Sequence, residues 1–135
     1  MQRAITPFRY KDIDLDFGIH PVTMDIDTTT DEIAINRALK NLLLTKFYEK
    51  PFQPRFGSQV FGMLFEPVDY IVASNLDSAI RIAIQNFEPR VIVLSVKAIP
   101  DYDRNGYTIT LNYKINNSLQ DEKISQFNFF LERLR

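Results

Sequence analysis

Hydrophobic residues follow two different periods along this chain, and the change falls at Asn86-Phe87-Glu88-Pro89-Arg90-Val91. Upstream, Val72, Leu76, Ile80, Ala83 and Phe87 recur at helical spacing, with Ser78, Arg81 and Gln85 off the stripe, which predicts a helix over 69–87. Proline lacks an amide donor and disfavours the helical conformation in the residue before it, so Glu88-Pro89 is a natural stop. Downstream the period becomes two. Ile92, Leu94, Val96 and Ala98 alternate with Val93, Ser95 and Lys97, and Tyr107, Ile109, Leu111, Tyr113 and Ile115 alternate with polar partners. Asn105-Gly106 closes the link between the two runs, a turn pair that predicts an antiparallel hairpin. Phe127, Phe129 and Leu131 alternate again and predict a last strand over 124–134.

Ahead of the long helix, Ile35, Ala38, Leu39 and Leu42 form a second apolar stripe, which predicts a helix over 30–45. Thr28-Thr29-Thr30-Asp31-Glu32 reads as its start, with hydroxyls to cap free amides and acids where the helix dipole favours them. Between the helices, Pro51, Pro54, Gly57, Gly62 and Pro67 interrupt any long element. Phe47, Phe52, Phe56, Phe61 and Phe65 in the same stretch predict an ordered loop pinned by rings, with one helical turn over 59–63. Nearer the N-terminus, Ile13, Leu15 and Phe17 alternate with Asp12, Asp14 and Asp16, an extended segment with one apolar side, and Val22, Met24 and Ile26 predict a short strand. Together these elements give an α+β fold, with two main helices packed on a small, mostly antiparallel sheet formed largely by the C-terminal third. Residues 1–20 are expected to form an arm and 21–135 a single α+β domain.

Composition narrows the function. The formal net charge of −1 argues against a dedicated nucleic-acid binder, which needs a basic surface to neutralise phosphates. Charge is nonetheless uneven. Residues 1–32 carry seven acids against three cations, a net of −4, and residues 37–55 carry five cations against one acid, a net of +4. That asymmetry suits docking to other proteins, and equally a solvated face. With no cysteine there is no thiolate nucleophile, thiolate metal site or disulfide. No apolar run approaches the ~20 residues of a membrane helix, so a soluble protein without membrane contact is expected.

The chemistry offered by single motifs is thin. Asp101-Tyr102-Asp103-Arg104-Asn105-Gly106 begins like a calcium loop, but the twelfth position is Asn112 where a bidentate Glu is required, and turn residues explain the letters. His20, the only histidine, lies beside Pro21 with no nucleophile motif nearby. Glu66 and Glu88, each directly before a proline, are the one carboxylate pair that could be assembled for glycoside hydrolysis, though spacing in sequence does not fix their separation. Glu88 is also badly placed, because an acid at a helix C-terminus opposes the dipole. A partner is therefore expected. Arg90 two residues along an extended segment is not expected to reach it alone, which leaves another basic residue of the chain or a neighbouring protein.

Four segments in order carry a resemblance: Pro51-Phe52-Gln53-Pro54-Arg55-Phe56-Gly57, Leu64-Phe65-Glu66-Pro67, Ala83-Ile84-Gln85-Asn86-Phe87-Glu88-Pro89-Arg90-Val91, and Ala98-Ile99-Pro100-Asp101-Tyr102. Over residues 33–117 the chain resembles the baseplate wedge family of contractile-tailed phages, the tail-sheath initiators, with relatives in type VI secretion baseplates. The resemblance implies a structural protein at the top of the wedge, against the central hub, presenting a small sheet on which the first sheath ring assembles. It maps the family's docking motif onto Glu88, Pro89 and Arg90. The partners implied are other wedge and hub proteins and the tail sheath subunit, with several copies in a ring, in the tail baseplate of a virion assembled in the host cytoplasm. No enzyme activity, catalytic residue, cofactor or metal is expected. An older lysozyme-like label for the family keeps a peptidoglycan hydrolase using Glu66 or Glu88 as the alternative. Phe127, Phe129 and Leu131 mark the strand expected to accept a partner strand, because an unpaired sheet edge presents free amides and carbonyls.

Overall fold

The computed structural model describes residues 32–116 and 124–135 in full and, of the remainder, the backbone of Lys11–Ile13 and Thr28–Thr30. Those two short segments are strands, β1 and β2, paired antiparallel with Lys11 opposite Thr30. Helix α1 follows at Glu32–Leu44, a single turn α2 at Val60–Met63, and the long helix α3 at Tyr70–Phe87. Strands β3 (Val91–Asp101), β4 (Gly106–Ile115) and β5 (Ser125–Glu132) form an antiparallel sheet in that order, with β4 in the centre. The α+β architecture expected from the two periods is the one observed. The predicted strand over 22–27 and His20 lie outside the described residues.

One core joins these elements. Ile35, Leu39 and Leu43 of α1 share one cluster with Val72, Leu76, Ile80, Ala83 and Ile84 of α3, Val91 and Val96 of β3 and Tyr107, Ile109, Leu111 and Tyr113 of β4, with α3 lying along β3. β4 buries its odd-numbered residues because both its edges are paired and one face carries the helices, a position suited to β-branched and aromatic side chains. Its two tyrosines lie fully within the core and must find partners for their hydroxyls. The Tyr107 hydroxyl donates to the Pro67 carbonyl at 3.3 Å and accepts the Asp69 amide at 3.2 Å. The Tyr113 hydroxyl donates to Asn36 Oδ1 at 2.7 Å. The first bond fixes the start of α3 to the sheet and the second fixes α1. Asp69 also caps α3, accepting the Tyr70 amide at 2.6 Å.

Three expectations need correction. Thr28–Thr30 are strand residues, not helix caps; threonine suits either role, and pairing with Lys11–Ile13 selects the strand. The aromatic loop is pinned by only some of its rings, Phe56 against Phe87 and Phe61 against Phe65. Phe52 is fully exposed, and main-chain bonds close the loop. Tyr48 N donates to the Pro54 carbonyl at 2.8 Å, Ser58 N to the Thr45 carbonyl at 3.0 Å, and Ser58 Oγ to the Leu43 carbonyl at 2.7 Å. Gly57 is required there: its φ of 143° suits no side chain, and a Cβ would press on the main chain of Thr45 and Lys46. Finally, β3 does not alternate continuously. The register shifts between Val93 and Ser95, a bulge that leaves Leu94 unpaired with β4. Val91 and Val93 face the core before it, Val96, Ala98 and Pro100 after it, and Ile92 and Leu94 are exposed.

Burial, with the Glu32 charge nearby, pushes the Tyr113 hydroxyl up to about 12, against the Ser125 side-chain bond that lowers it. The unfolded chain then loses this proton near pH 10 while the folded chain retains it. Stability should be unaffected by this group below pH 10 and fall as pH rises toward 12. Thermal melts across that range should show a shallower fall for Tyr113→Phe than for the unsubstituted chain; equal slopes would remove Tyr113 as the cause.

Candidate docking corner and strand edge

At the end of α3 the Glu88 amide still donates to the Ile84 carbonyl at 2.9 Å, and the helix stops. Val91 N then donates back to the Glu88 carbonyl at 3.2 Å, so Glu88-Pro89-Arg90-Val91 is a four-residue turn with proline in its second position, where its fixed φ belongs. The turn folds residues 88 and 90 toward each other. Arg90 Nε lies 2.6 Å from Glu88 Oε1 and Nη2 lies 2.7 Å from Oε2, a two-pronged ion pair with side-chain exposures of 24% and 8%. An extended segment would leave Arg90 short of Glu88; the turn brings the two together. The Asn116 amide donates to the Arg90 carbonyl at 2.7 Å and its side chain to the Pro89 carbonyl at 3.4 Å, which ties the corner to the end of β4.

A cleft of about 470 Å³ opens beside this corner, bounded by Asn41 and Thr45 of the α1 end, Glu49, Lys50 and Phe56 of the loop, and Phe87 and Glu88. Phe56 meets Phe87 edge to face at 5.2 Å, and the Lys50 ammonium lies 4.4 Å from the Phe56 ring centre. Glu66 is exposed and does not border this cleft. The geometry thus brings Glu88 to Arg90 and not to Glu66. Asp101, first residue of the calcium-like letters, accepts the Arg104 amide at 3.1 Å, as turn aspartates do.

The sheet has two unlike edges, and the register shows which main-chain groups each presents. The Ala98 amide donates to Asp77 Oδ1 of α3 at 2.6 Å, so it points away from β4, and Ala98 opposite Ile109 is a non-hydrogen-bonded pair. Ile109 therefore directs its main chain at Phe129, and the odd-numbered residues of β5 turn theirs to β4. Arg133 continues the pattern, its amide donating to the Asn105 carbonyl at 2.9 Å. Of the residues marked in the sequence, Phe127 and Phe129 are partly buried against the core and Leu131 is buried, with their main chains facing β4. The outward groups belong to Gln126, Asn128, Phe130 and Glu132, and no described strand pairs with them.

The outer edge of β3 runs through Val91, Val93, Val96, Ala98 and Pro100. Val91 is bonded into the corner turn, Ala98 to Asp77, and Pro100 has no amide hydrogen; the bulge separates Val93 from Val96. Burial raises the Asp77 carboxyl above its usual range, while the Ala98 amide, Arg81 and Lys97 pull it down.

Comparison with known proteins places these features in a family. The model of the family described as baseplate wedge protein gp25 matches residues 29–120. The chain belongs to this baseplate wedge family. It is accordingly a structural wedge protein of a contractile-tail baseplate. Among relatives, it is 27% identical over 112 residues to the baseplate wedge protein gp25 of Enterobacteria phage T4, covering 83% of this chain and 84% of that one. Among solved structures, a putative tail lysozyme from Geobacter sulfurreducens shares the fold with a TM-score of 0.68 at 19% identity, covering 77% of this chain and 92% of that one. A chain of the anti-feeding prophage baseplate does so with a TM-score of 0.60 at 16% identity, covering 94% and 88%.

Removing Arg90 strands a buried carboxylate. Arg90→Gln should therefore cost about 3 kcal/mol in urea unfolding. Glu88→Gln combined with Arg90→Gln should cost less than Arg90→Gln alone, and a double variant weaker than the single one would refute the pairing as the source of the loss.

Proposed function

We propose that this wedge protein is non-enzymatic, that it docks on the wedge core through the corner of Glu88, Pro89 and Arg90, and that its β5 edge accepts a strand from the first ring of tail sheath. The observation that carries this reading is the outer edge of β5, four outward residues long, which no strand among the described residues pairs. Phe127, Phe129 and Leu131 hold β5 on the core, so that Gln126, Asn128, Phe130 and Glu132 are presented in a fixed register. The Arg104 guanidinium, 3.9 Å from the Phe130 ring centre, steadies the far end of that edge. At the corner, the buried Glu88 holds the partly exposed Arg90 guanidinium in place, and Phe87 and Glu88 border the cleft beside Phe56, a surface suited to a helix or loop of another wedge protein. The copies would stand in a ring around the hub, joined to the baseplate as it assembles in the host cytoplasm.

The fold shared with a putative tail lysozyme keeps the peptidoglycan hydrolase in view as the second reading. Against it stands the arrangement of Glu88, whose two carboxylate oxygens both accept from Arg90. Purified protein should release no soluble fragments from cell-wall peptidoglycan; release abolished by Glu88→Gln or Glu66→Gln would establish the hydrolase instead.

Proline discriminates the two sides of β5. Asn128 turns its amide outward, so Asn128→Pro removes a donor from the free edge and none from the β4 ladder; Phe129→Pro does the reverse. Phe129→Pro should unfold at clearly lower urea, by about 3 kcal/mol. Asn128→Pro should remain folded, enter baseplates and fail to start sheath. Sheaths of normal length and number on Asn128→Pro particles would exclude strand acceptance at β5.

A further inference from the structure

We propose that Asp77 and Pro100 close the β3 edge to strand addition and thereby restrict pairing to β5; this rests on the reading of the sheet as a strand acceptor. An antiparallel sheet has two edges, and nothing in its hydrogen bonding distinguishes one from the other. Here they differ in every outward donor that can be traced. On β3, Val91 gives its amide to the Glu88 carbonyl, Ala98 gives its amide to Asp77 Oδ1 at 2.6 Å, and Pro100 has none to give. The bulge between Val93 and Ser95 breaks the register of what remains, so an incoming strand cannot satisfy Val93 and Val96 together with regular spacing.

Asp77 is the one side chain of this set, supplied from another element. It stands on the sheet-facing side of α3, between the buried Leu76 and Ile80 turns, and contributes nothing to the apolar core. Holding a carboxylate in a partly desolvated position is unfavourable, and the Ala98 amide compensates it first, with the Arg81 and Lys97 charges adding to it. Asp77 is thus a specificity residue: it occupies a donor that an incoming strand would need. Pro100, two residues along the same edge, denies the next one. Without them, β3 would offer regularly spaced donors at residues 96, 98 and 100 beyond the bulge, and the chain could pair there with the β5 edge of another copy.

Two measurements on the free full-length chain test this. In hydrogen exchange, Asp77→Ala should raise the Ala98 amide rate at least tenfold with the α3 amides unchanged, and Asp77→Asn, which keeps an oxygen acceptor, should stay near the parent rate. Equal rates in the two variants would overturn the assignment. In sedimentation, Asp77→Ala with Pro100→Thr should self-associate at least tenfold more tightly than the parent, and Asp77→Asn alone should match the parent; association at the parent level would overturn the proposal. The exchange measurement on Asp77→Ala alone decides the matter if the double variant does not fold. Neither measurement involves sheath, so failure here is separable from normal sheath growth on Asn128→Pro particles, which bears on the acceptor reading itself.

Discussion

The reversal at Glu88-Pro89-Arg90-Val91 is the constraint on which the rest of the molecule depends. In four residues the chain leaves a helix that covers the sheet and enters the first strand of that sheet, and both elements are long, so a small error in the turn would misplace the far ends of each. Three interactions set its angle: the proline ring, the Val91 amide returned to Glu88, and the paired carboxylate and guanidinium. An acid at the helix end opposes the dipole, and two charges leave water at some cost. The arrangement is therefore better understood as fixing geometry than as adding stability, and Asn116 extends that geometry to the end of the central strand.

From that corner the packing follows in layers. α3 contributes its small and aliphatic stripe to both sides, meeting α1 on one and the sheet, along β3 above all, on the other. The two buried tyrosines of β4 reach through the layer to polar groups on Asn36 and Pro67, so the sheet is fastened to each helix at a different place along its length. The C-terminal residues finish the enclosure: the Leu134 amide donates to the Leu64 carbonyl at 2.7 Å and Arg133 Nε to the Glu66 carbonyl at 3.0 Å. β5 is consequently held at both its core face and its end.

Much of this was readable from residue order. The helix at 70–87 and the hairpin were plain because their periods are long and uninterrupted, and the last strand because Phe127, Phe129 and Leu131 alternate. The failures have particular causes. The run Val91 to Leu94 is apolar at every position, so either alternation fits and the bulge leaves no mark. The Glu88–Arg90 pair is hidden from spacing alone, because residues two apart in an extended segment need not touch, and only the proline between them signals the turn that joins them. Threonines 28–30 suit a cap and a strand equally. The bond from Ala98 to Asp77 joins residues 21 positions apart on different elements, and no local pattern reports it.

The bulge in β3 has a consequence for shape as well as for register. By turning Ile92 and Leu94 outward it places two aliphatic side chains on the open face of the sheet, near one edge, while the face beside β5 carries Gln126, Asn128 and Glu132. The exposed surface thus grades from oily to wet across three strands. The face therefore has a direction: a body laid across it meets aliphatic side chains at the β3 edge and mostly amide and carboxylate groups at the β5 edge.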